Sequence, residues 1–294
     1  MRIELRRGGY AAAADTKGGE LVSFRDEQGT EYIWGGSPSS WTGQNPHLFP
    51  VVGSLADGRV AVNGKHYEMA RHGFARQSEF TVAEQGADYA VLELRDSPET
   101  LAQYPFPFLL RVRHQLTDNG FYTQFEVKNP GPGELLFCVG GHTGVNCPLR
   151  AGERFEDYRL VFEQEEDAWS IVPSAQGYMS AKREHILDRT DTIALDHAVF
   201  DRLDTIIFEG LKSKQVTLRH KDGGRGVRMD FGEFPIVAFW TMSNANAPYI
   251  CLEPWHGCAA VEGESGELAD KPHVIRLAPG GEKVLRYNVE VCGE

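Results

Sequence analysis

Along most of this chain apolar and polar residues alternate with a period of two, the pattern of strands that bury one face and expose the other. It is read in LVSFRD (21–26), EYIWGG (31–36), RVAVNGKHYEM (59–69), EFTVAE (79–84), YAVLELRDS (89–97), FLLRVRHQLTD (108–118), FYTQFEVKNP (121–130) and ELLFCVGG (134–141). It resumes in QVTLRH (215–220), GVRMDFG (226–232), IVAFWTM (236–242), YICLEP (249–254), HVIRLAP (273–279) and VLRYNVEV (284–291). Turn chemistry separates them: NGK at 63–65, TDNG at 117–120, NPGPG at 129–133, DGGRG at 222–226 and APGGE at 278–282. Only SPETLAQY, 97–104, reads as a short helix, with Ser97 or Pro98 near its start. So many strands on short turns, without βαβ spacing or a blade-length repeat, predict an all-β fold of two large antiparallel sheets packed face to face.

Composition narrows the function classes. A chain of 294 residues, 41% hydrophobic and 24% charged, can bury a substantial core. No linker divides it, so a single domain over residues 1–294 is expected. The net charge of −12 repels phosphate backbones and anionic lipid, which argues against nucleic acid and membrane partners. MRIELRRGGY lacks the features of a secretion signal and no long apolar run follows, so a cytoplasmic protein is expected. Cys138, Cys147, Cys251, Cys258 and Cys292 lack CxxC spacing, which predicts buried or half-buried thiols rather than disulfides or a zinc cluster. No metal and no cofactor are expected.

Three segments carry polar residues where strands should be bland. ARHGFARQSEF gathers Arg71, His72 and Arg76 around a glycine; alone, it reads as a basic surface loop. VGGHTGVNCPL puts His142 after two glycines at a strand end, where a structural histidine is the plainer reading. PYICLEPWHG places Glu253 after an apolar strand and before Pro254 and Trp255. A carboxylate rarely sits there unless it is paired or used, although an edge strand could turn it to solvent. Trp255 beside polar groups suits a sugar platform, with core packing as the rival reading. Two imidazoles, a carboxylate, two guanidiniums and an aromatic suit general acid–base chemistry on a polyol. No nucleophile elbow, P-loop or dinucleotide fingerprint competes.

In this order and at these separations, NPHLFPVVGSLADG, RHGFAR, GGHTGVNCPL and YICLEPWHG resemble the aldose 1-epimerase (galactose mutarotase) family, and most of all its LacX-type branch. The resemblance spans nearly the whole chain and implies a galactose mutarotase-like β-supersandwich with a small sugar as substrate. Carried over residue by residue, it implies Glu253 as general base, His142 as general acid and His72 as the group that positions the sugar. It also implies substrate contacts from Arg71, from Arg76, which otherwise braces the loop, and from Asp204 in FDRLDTIIFEG. Asp204 could instead be an Asx-type turn residue, and Asp201 competes with it. Val145 and His256 depart from the branch pattern, which usually has Phe and often Tyr there.

Mutarotation requires removing a proton from the anomeric hydroxyl and giving one to the ring oxygen. The pattern therefore predicts an ionised Glu253 beside a protonated His142, each charge supporting the other. Two readings compete with a free-hexose epimerase. In a hexose-6-phosphate epimerase, Arg71 and Arg76 would clamp phosphate. In a non-catalytic carbohydrate-binding protein, Trp255, Trp240 and Trp41 would stack on sugar, but that function has no need of an acid–base pair. A polysaccharide lyase would call for a basic cleft, which the composition disfavours.

Overall fold

The period-two pattern does locally what it demands. In the strand Leu109–Leu116, residues Leu110, Val112, His114 and Leu116 are buried while those between are half-buried, and Gly120–Lys128 repeats the alternation. The two pair antiparallel from Phe121↔Leu116 to Lys128↔Leu109, across the predicted TDNG turn. The computed structural model describes residues 1–293, and in it fifteen strands join in one sheet. Its path runs from His47–Leu48 through Val139–Gly141, Tyr249–His256, Ile236–Trp240, Thr205–Glu209 and Tyr158–Pro173. It continues through Gln215–His220, Gly226–Asp230, Glu282–Cys292, Gly120–Lys128, Leu109–Leu116 and Tyr89–Arg95 to Thr81–Gln85. A three-stranded sheet, Arg2–Arg7 with Tyr10–Asp15 and Leu21–Arg25, packs against it through Phe24, whose ring lies 5.1 Å from that of Phe121.

The large sheet folds over on itself, which makes the sandwich. His47, at one end of the strand path, stacks on His114 near the other end with ring centroids 5.5 Å apart, and Phe49 meets Phe108 at 5.1 Å. Both imidazoles donate through Nε2 to the carbonyl of Gly19, at 2.8 Å each. Burial pushes His47 down to about 3 and His114 down to about 4, so both are neutral near pH 7. The expected all-β class with large antiparallel sheets is what the chain forms.

Some elements differ from expectation. The segment 31–36 makes isolated bridges only, at Glu31 and Ile33, because the Glu31 carboxylate accepts the backbone N–H groups of Phe24 and Ile33 and so replaces a ladder. The predicted helix is present as Pro98–Gln103 with Ser97 as its cap. A second helix, His197–Leu203, was not expected; the Asp196 side chain caps it at the N–H of Ala198. The long hairpin Tyr158–Pro173 with Met179–Ala194 was missed too, because charged runs such as FEQEED and AKREH break the alternation and the register shifts repeatedly. The five cysteines are free, four of them buried. Among the described residues no helix is long and apolar enough to cross a membrane.

Candidate active site

Glu253 lies on Tyr249–His256, which has Val139–Gly141 and Thr143–Asn146 on one side and Ile236–Trp240 on the other. The strand is interior, so the solvent-facing edge reading is overturned, and the Glu253 side chain is 2% exposed. His142 occupies the break between the two short neighbouring strands, and its Nε2 comes 3.3 Å from Oε1 of Glu253. The two glycines before it let this backbone close in. A Cβ on Gly141 would lie 2.7 Å from the Tyr287 ring, and one on Gly140 would lie 2.8 Å from the Pro254 carbonyl. His142 is only partly satisfied, because its Nδ1 is buried without a hydrogen-bond partner.

RHGFAR forms a wall of the site rather than a solvated turn. The Phe49 carbonyl accepts from the N–H groups of Phe74 and Ala75, and the His72 carbonyl accepts from that of Phe49. The loop is so tight here that a Cβ on Gly73, at φ 73°, would lie 2.2 Å from the Phe49 oxygen. His72 itself sits at φ 67°, a strained conformation for a non-glycine residue. Its Nδ1 accepts the Gly53 N–H at 3.0 Å, so Nε2 carries the ring proton. Burial and the neighbouring positive groups hold His72 well below the usual histidine range, which makes it a neutral donor. Its ring stands edge-on to that of His142 at 5.7 Å.

These groups share a cavity of about 230 Å³ lined by Trp41, Arg71, His72, Arg76, His142, Thr205, Trp240, Met242, Glu253 and Trp255. It is smaller than the usual drug-sized pocket and suits a small polar ligand. Larger surface hollows of about 540 to 560 Å³ exist, but no histidine lines them. Half-buried Trp41 and Trp240 offer aromatic surface, Trp41 tilting over the His142 ring at 4.9 Å. Trp255 is almost wholly buried, and its indole N–H holds Oε2 of Glu253 at 3.2 Å. Arg71 is exposed at the cavity and Arg76 half-buried.

The two aspartates separate. Asp201 spends its carboxylate on the N–H of Asn244 at 2.6 Å. Asp204 ends the second helix at φ 63°, ψ −61°, accepts the Thr205 hydroxyl at 2.8 Å, and lies near enough for its charge to raise the proton affinity of Glu253. Asp204 does not line the cavity, whereas its neighbour Thr205 does. Thr205 and Met242 were not anticipated. Thr205 opens a buried strand directly after Asp204, and Met242 follows a strand end; neither carries a chemical signal in the sequence.

Burial governs the charges of the central pair. It pushes Glu253 up to about 8, with Arg71, the Trp255 N–H and Arg76 working against it. It pushes His142 down to about 3, with Arg76 and Arg71 adding to the effect. Burial thus favours the neutral form of each group, against the carboxylate and imidazolium that their mutual attraction favours. The proton count of the pair is nevertheless the one that the expectation required: one proton between two groups 3.3 Å apart.

The aldose 1-epimerase profile matches residues 1–278. The chain belongs to the aldose 1-epimerase family. Within it, the chain is 34% identical to the LacX proteins of Lactococcus lactis subsp. lactis, chromosomal and plasmid, over 99% of both chains. A galactose mutarotase related enzyme from Lactobacillus acidophilus superposes with a TM-score of 0.93 at 29% identity, covering 100% of this chain and 98% of that one. A galactose mutarotase-like protein from Lactobacillus casei gives 0.91 at 25% identity, covering 99% and 100%. The aldose 1-epimerase fold is thus shared from end to end of the chain.

Proposed function

We propose that this protein is an aldose 1-epimerase that interconverts the α and β anomers of a free hexose or a closely related sugar. The observation that carries this reading is the buried Glu253–His142 pair, 3.3 Å apart, at a small cavity lined by arginine and tryptophan. With sugar bound, the proton moves from the Glu253 carboxyl to His142 Nε2, which leaves a base and an acid side by side. Glu253 then takes the proton of the anomeric hydroxyl while His142 gives one to the ring oxygen. The C1 to ring-oxygen bond breaks and the C1 carbonyl forms. Rotation about C1–C2 and the reverse transfers close the ring on the other face, restoring both groups. His72 Nε2–H and the two arginines hold the hydroxyls, and Trp41 and Trp240 meet the apolar face of the ring.

Polarimetry of freshly dissolved α-anomers across hexoses and pentoses tests the proposal. Equilibration faster than the spontaneous rate is expected for at least one sugar, and no acceleration across the panel would end the proposal. The active form needs the single proton of the pair, so the rate is expected to fall as pH rises through about 8, where that proton is lost. A rate still rising well above that pH would show that some other group is the acid. Arg71 and Arg76 at the cavity favour a second reading, a hexose 6-phosphate as substrate, against the net charge of −12. A hexose 6-phosphate in the same panel decides it: that reading requires the phosphate ester to be preferred over the free sugar.

A further inference from the structure

Cys251 lies two residues before Glu253 on the same strand, hence on the same face, and it is buried. Its thiol sulfur, a carboxylate oxygen of Glu253 and a ring nitrogen of His142 all lie within 4.8 Å of one another. We propose that His142, Cys251 and Glu253 form a three-ligand site for one thiophilic divalent ion of the zinc type, and that its occupation shuts the enzyme off. The site itself stands on geometry alone; only the inhibition rests on the epimerase reading.

The nitrogen-to-oxygen distance fits such an ion. Tetrahedral zinc with nitrogen and oxygen ligands at about 2.1 Å sets those two atoms about 3.4 Å apart, and Nε2 of His142 is 3.3 Å from Oε1 of Glu253. Sulfur completes a mixed N, S, O set of three protein ligands, two of which, His142 and Glu253, line the sugar cavity. Trp255 already binds Oε2 of Glu253, which leaves Oε1 for the ion and fixes the carboxylate plane.

The charges balance as well. A carboxylate and a thiolate neutralise a dication, so the filled site buries no net charge. Neutral imidazole is the ligand form, and burial keeps His142 in it. Arg71 and Arg76 line the same cavity, and their positive charges weaken the hold on a cation. Both acidic ligands, the Cys251 thiol and the Glu253 carboxyl, must lose their protons to bind the ion, so binding tightens as pH rises. A second cluster, Asp167, His185 and Asp188, lies toward the surface and contains no sulfur.

Cobalt(II) reads the two apart. Titrated into chelator-treated protein, it is expected to give a sulfur-to-cobalt charge-transfer band saturating at one equivalent, retained in Asp167→Asn and lost in Cys251→Ser. Absence of the band, or its persistence in folded Cys251→Ser, overturns the site. Should Cys251→Ser fail to fold, Glu253→Gln replaces it. Loss of groups that merely orient ligands weakens metal sites about 10–100-fold, so loss of a ligand should weaken cobalt binding about 100-fold. Unchanged affinity overturns the proposal. Zinc should also slow anomer equilibration and EDTA should restore it; full activity in saturating zinc would refute the inhibitory role. Failure of the epimerase reading leaves the cobalt result intact, so the two failures are distinguishable.

Discussion

Replacing Glu253 by glutamine is expected to lower kcat for anomer equilibration by about 10²–10⁴-fold, the usual worth of a positioned acid or base. The substitution isolates the chemistry. Glutamine keeps the volume at a position 2% exposed, and its amide oxygen can still accept the Trp255 N–H. What it cannot do is take the anomeric proton or pass one to His142. The interior strand should hold, so near-wild-type circular dichroism and melting temperature are expected beside the collapse in rate. A folded variant that equilibrates anomers at close to the wild-type rate would remove Glu253 from the role of base.

The companion result concerns the two imidazoles. His142→Asn is expected to lower kcat by a similar 10²–10⁴-fold with little change in KM, because the group acts while the ring opens. His72→Asn is expected to raise KM as well as lower kcat. His72 is a neutral donor to the ground-state sugar, and its Nδ1 also satisfies the Gly53 N–H at 3.0 Å and so holds the wall of the cavity. Equal losses in kcat with unchanged KM in both variants would contradict this division. The Glu253→Gln, His142→Asn double variant should be little worse than either single one, since one proton serves both groups.

Strand content and the polar candidates were legible because both are local signals. Alternation marks a strand wherever one face is buried, as in Gly120–Lys128. A glutamate inside YICLEPW or two glycines before His142 is an anomaly visible within ten residues. What the sequence hid depends on partners distant in the chain. Whether Glu253 sits on an edge or an interior strand is decided by residues 139–146 and 236–240 pairing on either side of it. The burial of the pair is hidden for a related reason: type and spacing show that two charges could support each other, but not how deeply both groups lie in the interior. Cys251 carries no metal signal in the sequence, because its proposed partner His142 is distant in the chain and is brought beside it only by strand pairing. The long hairpin escaped because its pairing is irregular and its exposed residues outnumber its buried ones.

The histidine stack that closes the sheet on itself also limits how far the protein can be taken toward acid. His47 and His114 resist protonation down to about 3 and about 4 in the folded chain, whereas an unfolded chain binds those protons near 6.5. Below the unfolded value the denatured state takes up protons that the native state refuses, so stability is intact near neutrality and drains away as pH falls from there toward the folded values. For two fully buried groups the loss is on the order of several kcal/mol, a large part of a typical folding free energy. Both rings donate to one carbonyl, that of Gly19, so protonating both sets like charges 5.5 Å apart at the seam between opposite ends of the strand path. Inactivation in mild acid is then denaturation from the seam, a failure that outlasts the return to neutral pH if the opened sheet aggregates, whereas inactivation in base is a titration that reverses at once.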